Sequence, residues 1–272
     1  MVLNWRWIFF ALYVSLVFVL PLSILGNAWG LAIGSSLAIV TLVSLRWNGT
    51  KFLSEKMNLL PFPDSRPEVA HMVKEYCRRL SIPTPRLKLL DSPALNIGVF
   101  GFSNDDAVLV LTRGVLSLPR EQLSALLARA TGALWHSDFR VETWLARYLA
   151  IFSKQTEKTL AKRFYSTKVF LKQSLLYPLT VVPSFILRGT TEAEELDLKA
   201  AKLCQNPRGL SEALRTMEAS RERVPLRISF AFSRLFFVAP PLQEPLFHFL
   251  SSRSANGRIK NLESFSRTVN PV

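Results

Sequence analysis

The sequence predicts an α+β, mainly helical chain that opens with a two-helix transmembrane hairpin and continues into a domain built around a small β-sheet. Three observations carry this. No Lys, Arg, Asp or Glu occurs between Arg6 and Arg46. Apolar residues recur at helical spacing from Pro67 to Leu80 and from Pro119 to His136. Two short apolar runs, around Leu87 and Val108, are bounded by turn residues.

The run from Trp7 to Leu45 is interrupted only by Pro21 and by Gly26-Asn27. Each half is close to the ~20 apolar residues that cross a bilayer, and the Gly-Asn pair supplies the turn. Trp5, Trp7, Trp29 and Trp47 fall near the ends, where indole rings prefer the membrane interface. A cleaved signal peptide fits less well, because the first run is long for one and no small-residue cleavage site follows it. Arg6, Arg46, Lys51 and Lys56 flank the pair of spans while the turn is uncharged, so the positive-inside rule places both ends in the cytoplasm. The organisation expected is a membrane hairpin over residues 1–47 and one cytoplasmic domain over residues 48–272.

Net charge is +14, yet the cations are scattered and no nucleic-acid motif accompanies them, so no nucleic-acid partner is expected. Beside anionic lipid, a basic face holds a tethered domain against the bilayer; the alternative is an ordinary solvated surface. Cys77 and Cys204 have no metal-type spacing, and in a reducing compartment they remain free thiols.

Within the domain, Val69, Met72, Val73, Tyr76 and Leu80 mark one face of a helix opened by Pro67. Ile82-Pro83-Thr84-Pro85 breaks it, Leu87 to Leu90 forms a strand, Asp91-Ser92-Pro93 a turn, and Val108 to Leu111 a second strand. From Pro119, residues Leu123, Leu126, Leu127, Ala130 and Leu134 form the stripe of a core helix on which positions 129 and 133 lie one turn apart. Apolar runs at Trp144 to Phe152 and Leu175 to Leu187 are expected to be membrane-associated or core helices over 143–152 and 174–187. The stretch between them is basic, and Leu226 to Leu250 is rich in Phe.

Taken in order, these pieces resemble the HtpX-type membrane zinc metalloproteases, relatives of the CAAX-prenyl proteases. The matching pieces are the hairpin, the helix, the Pro-x-Pro turn into a strand, Asn96 at the family's Asn-Ala-Phe segment, and Val108-Leu-Val-Leu-Thr-Arg-Gly-Val-Leu116 before the helix that ends near Asp138. Ala193-Glu194-Glu195-Leu196-Asp197 resembles the family's Glu-x-x-Ala-Asp. Leu235-Phe-Phe-Val-Ala-Pro-Pro241 resembles the segment ending in His-Pro-Pro, with Ala239 for His, and Arg258-Ile259 to Leu262 resembles the tail motif. The resemblance implies a gluzincin-type domain and a bacterial inner-membrane setting.

Carried over residue by residue, the two zinc imidazoles fall on Arg129 and Ala133, the general base on Ala130 and the carboxylate ligand on Ala193. None of these can hold zinc or activate water. The chain is therefore expected to be no enzyme, a pseudoprotease without metal or cofactor. It would act as a scaffold, adaptor or regulator for another membrane protein or protease complex, with the bilayer and a second copy of the chain as further partners. Arg129 is expected to pair with Asp197 or Glu194 in place of the metal cross-link. A peptide is expected to add along the strand of Val108 and Val110, with Asn96 nearby. Two rivals remain: a lipid-binding membrane-surface protein, and a hydrolase with a relocated site in which Ser137 or Thr131 works with His136. His71, His136 and His248 are the histidines available.

Overall fold

The computed structural model describes residues 5–136, 138–161, 193–238 and 255–269. The expected helix over 174–187, Ser137, Ala239, His248 and most of the basic stretch lie outside them. The described chain is mainly helical with one small mixed sheet and one long apolar N-terminal helix.

That helix, α1 (Trp5–Arg46), leaves helical geometry at Asn27, where φ is 48° and ψ −132°. Asn tolerates this left-handed region better than a branched residue would. A Cβ at Gly30 would fall on the Leu22 carbonyl oxygen, and one at Gly34 would lie 2.8 Å from the Val19 Cα. In a straight helix a separation of eight residues spans about 12 Å, so these approaches require a change of direction at Asn27. Much of α1 is exposed apolar surface, with Leu25 at 84% and Trp29 at 81%. By length and composition it can cross a membrane.

Asn48, at φ 49°, turns the chain into the short α2 (Gly49–Lys56). Strand β1 (Leu60–Pro61) follows, and then α3 (Pro67–Leu80), which begins on a proline whose missing N–H costs nothing there and stops at Ser81 in the left-handed region. Strands β2 (Arg86–Leu90), β3 (Ile97–Phe100) and β4 (Val108–Thr112) complete a sheet of order β1-β2-β4-β3. β2 and β4 run parallel, with Leu87 opposite Leu109, while β3 and β4 are antiparallel, with Val99 opposite Leu109.

This corrects the expected peptide-binding edge. Val108 and Val110 lie on a central strand, hydrogen-bonded to a neighbour on each side and 1–2% exposed. The physical reason is that the sheet is covered on both faces, which makes a central strand read as a continuous apolar run. Leu109 and Leu111 point into a core with α3 and the helix after β4. Val108 and Val110 point into a second core with α1, α2 and a later helix. One strand thus joins the core beneath α3 and the helix after β4 to the foot of the apolar helix.

After a 3-10 turn at Gly114–Ser117 comes α4 (Arg120–Trp135). The expected one-sided stripe is in fact burial all round, from Ala125 through Leu134. Ala125, Ala128, Ala130, Gly132 and Ala133 keep its surface small, so neighbouring helices approach closely on several sides. α5 (Asp138–Ala161) contains the apolar run at 143–152 and packs on α1, where the Phe10 and Tyr148 rings meet edge-on at 5.6 Å; Phe102, from the loop after β3, meets Trp144 at 5.1 Å. α6 (Ala193–Cys204) and α7 (Pro207–Arg221) pack on α4. α8 (Ala255–Val269) packs on both α6 and α7.

Candidate functional site

Position 129 lies in the middle of α4 and its side chain reaches α6, and the helical pitch sets Ala130 and Ala133 on neighbouring rows of the same buried surface. Arg129 donates from Nε to Asp197 Oδ1 at 2.6 Å. Arg258 of α8 donates from Nε to Asp197 Oδ2 at 2.6 Å and from Nη2 to Oδ1 at 2.9 Å, and its Nη1 reaches the Phe237 carbonyl at 3.1 Å. The Arg129 guanidinium carbon also sits 4.5 Å from the Phe237 ring centroid. One carboxylate thus accepts from two buried guanidinia and ties three helices together.

The two guanidinia do not share that carboxylate equally. Burial pushes the Asp197 carboxyl up, but Arg258 and then Arg129 outweigh it and hold the group below the usual carboxylate range. For Arg258, attraction to Asp197 overcomes burial and its pKa rises. For Arg129, burial dominates and the repulsion of Arg258 adds to it, so its pKa falls despite the contact. Sequence reasoning brought Arg129 and Asp197 together but missed Arg258. The signal for it was the Arg-Ile pair in a tail motif, read for resemblance and not for charge.

The other candidates are distributed as follows. Glu194 accepts from Asn261 Nδ2 at 2.7 Å and does not reach Arg129's carboxylate partner role. Ala193 is partly exposed at the start of α6. Thr131 is fully buried and donates to the Leu127 carbonyl, and His136 meets Lys199 Nζ at 3.1 Å. Burial, then Lys199, lower the pKa of His136. These two therefore do not form a nucleophile and base pair. His71 is exposed on α3. Cys77 is buried, which pushes its thiol up to about 11 and leaves it a neutral core side chain. Among the described residues no three His, Cys, Asp or Glu side chains converge as a metal site.

Asn96 is buried and fully engaged. Its Nδ2 donates to the Val238 carbonyl at 2.6 Å, its Oδ1 accepts from the Ile97 and Val238 amides, and Thr112 Oγ1 bonds its backbone. Phe237 N donates to the Ile97 carbonyl, and Gly98 pairs with Phe236. The outer edge of β3 is therefore covered by residues 236–238, and Asn96 fastens that segment where a peptide was expected.

Proteins similar to this chain extend over nearly its whole length. A protein named Protease HtpX homolog from Acaryochloris marina is 27% identical over 255 residues, covering 88% of this chain and 86% of the relative. Proteins of the same name from Salinibacter ruber and Streptococcus pyogenes are 25% and 24% identical, covering 82% and 80% of this chain and 84% of each relative. The chain is HtpX-like. No family model matches it.

These relatives overturn the expectation that the chain is no enzyme. They are named proteases, and a protease is what their names suggest. The inference from residues 129, 130, 133 and 193 reached too far, since side chains at one locus govern zinc at that locus and not the chemistry of a whole chain.

Proposed function

We propose that this chain is a membrane-anchored HtpX-type protein that works on other polypeptides at the bacterial inner membrane, holding them as a scaffold or adaptor. The observation that carries the reading is the apolar α1, whose exposed Leu and Trp surface has no protein partner among the described residues and matches a lipid environment. The break at Asn27 and the approach of Gly30 and Gly34 to residues 18–23 support two membrane-crossing arms. Arg46, Lys51 and Lys56 at the foot support a cytoplasmic domain. The relatives' names make proteolysis the first activity to assay. Arg129, Ala130, Ala133 and Ala193 supply neither zinc ligand nor base, so hydrolysis by this chain would draw on other residues.

The test is purification of the full-length protein in mild detergent after alkaline carbonate extraction of membranes. The same preparation is then assayed for bound proteins, zinc content and cleavage of an unfolded membrane-protein substrate. Carbonate-resistant protein that carries the same membrane-protein partner in repeated preparations supports the proposal. Release by carbonate overturns the anchor, and the absence of any recurrent partner overturns the scaffold.

A further inference from the structure

α2 begins directly after the foot of α1, and its Phe52 ring receives two cations. The Arg147 guanidinium carbon lies 3.6 Å from the ring centroid and Lys56 Nζ lies 5.4 Å from it. Arg147 comes from α5, one residue before Tyr148, which packs on Phe10 of α1. Lys51 is exposed beside Phe52. The cluster therefore sits at the foot of the apolar helix, beside α2 and α5.

Arg147 differs from Arg129, Arg258 and Arg234, each of which meets a carboxylate. Arg129 and Arg258 share Asp197, and Arg234 grips Glu142 through two 2.7 Å hydrogen bonds. The Arg147 Nε is buried with no hydrogen-bond partner among the described residues, and no ion pair is seen for its guanidinium there. Burial without a counter-charge lowers its pKa. A guanidinium partly removed from water, with its Nε unanswered, is suited to an anion. The planar fork matches a phosphate with two parallel hydrogen bonds, and the aromatic ring fixes its plane.

We propose that Arg147, with Lys56 and Lys51 around Phe52, binds the phosphate of an anionic phospholipid at the α1–α2–α5 junction. This rests on the reading that α1 crosses the membrane. It assigns to α5 a second contact with the bilayer, through a headgroup, and makes the lipid a brace between the apolar helix and the β4 core.

The experiment is native mass spectrometry of the full-length protein in detergent, titrated with phosphatidylglycerol and separately with phosphatidylcholine. Arg147→Gln, Arg147→Lys and a control on α3, Lys74→Gln, are compared with the unchanged chain. The expected result is retained phosphatidylglycerol whose apparent affinity falls on the order of 10-fold in Arg147→Gln. Arg147→Lys should fall less, and Lys74→Gln should match the unchanged chain. Equal losses in Arg147→Gln and Lys74→Gln would mean diffuse attraction and overturn the site. Displacement of the lipid by millimolar inorganic phosphate would also overturn it, because the ligand would then be free phosphate. If Arg147→Gln does not fold, the double variant Lys51→Gln/Lys56→Gln gives the same comparison. Carbonate extraction of the unchanged chain reports separately on the membrane anchor, so failure of the site and failure of the anchor are distinguishable.

Discussion

Replacing Asp197 by Asn should damage this protein more than losing either arginine that it binds. The side chains of Arg129, Asp197 and Arg258 are 6%, 1% and 3% exposed, so neither guanidinium can turn to water when the charge between them goes. Asn preserves the shape, but it presents an N–H₂ to one of two donors and leaves two buried cations repelling each other. Removing one partner from a buried ion pair costs about 3–5 kcal/mol. For a domain of this size that is a fall in melting temperature on the order of 10 °C. The geometry divides the remaining cost. Arg258 makes two hydrogen bonds to Asp197 and one to the Phe237 carbonyl, whereas Arg129 makes one to Asp197. Arg258→Met should therefore destabilise clearly, and Arg129→Met should change stability by less than about 1 kcal/mol or improve it, as replacing a costly buried charge by a well-packed apolar side chain often does. Differential scanning fluorimetry of the four detergent-solubilised proteins measures the order. A loss in Arg129→Met equal to that in Arg258→Met would refute the unequal sharing, and an unchanged Asp197→Asn would refute the clamp.

Other predictions follow from the same geometry. Because the Asp197 pKa is depressed in the fold, its contribution is fully present above the unfolded carboxylate value of ~3.9 and is lost as pH falls below that. Acid unfolding followed by tryptophan fluorescence should therefore be steepest below that pH in the unchanged chain and shallower in Asp197→Asn. The lowered His136 pKa acts in the same direction at milder acidity: below ~6.5 the unfolded chain takes the proton more readily, so stability declines as pH drops through that range. His136→Gln should flatten the melting temperature between about pH 7 and pH 5. A Cβ at position 114 would fall on the Pro93 carbonyl oxygen and 2.7 Å from that of Ala94, so Gly114→Ala should cost about 1–3 kcal/mol by overpacking backbone, read from the same melts. Asn96→Ala strips the 236–238 segment of its paired hydrogen bonds and should open the β3 edge to amide hydrogen exchange at Ile97, whose N–H the Asn96 side chain accepts.

The sequence by itself determined the elements whose signal is local. A charge-free run of this length can only be apolar helix, Gly-Asn can break it where Asn27 does, and Pro67 and Pro83 set helix and loop boundaries because proline fixes φ and lacks a donor. That Arg129, Ala130, Ala133 and Ala193 offer no zinc-binding side chain is likewise a matter of residue identity. Only the tertiary structure decided what long-range pairing controls. Val108 and Val110 looked equally suited to an edge or a central strand, and what decided it was a parallel partner about 22 residues earlier on β2, joined to a nearer antiparallel partner on β3. Asn96 found its partner 142 residues later at Val238, and Asp197 found its stronger cation 61 residues later at Arg258. Such contacts leave no periodic trace in the chain, because a buried charge specifies that it must be met and not by which residue.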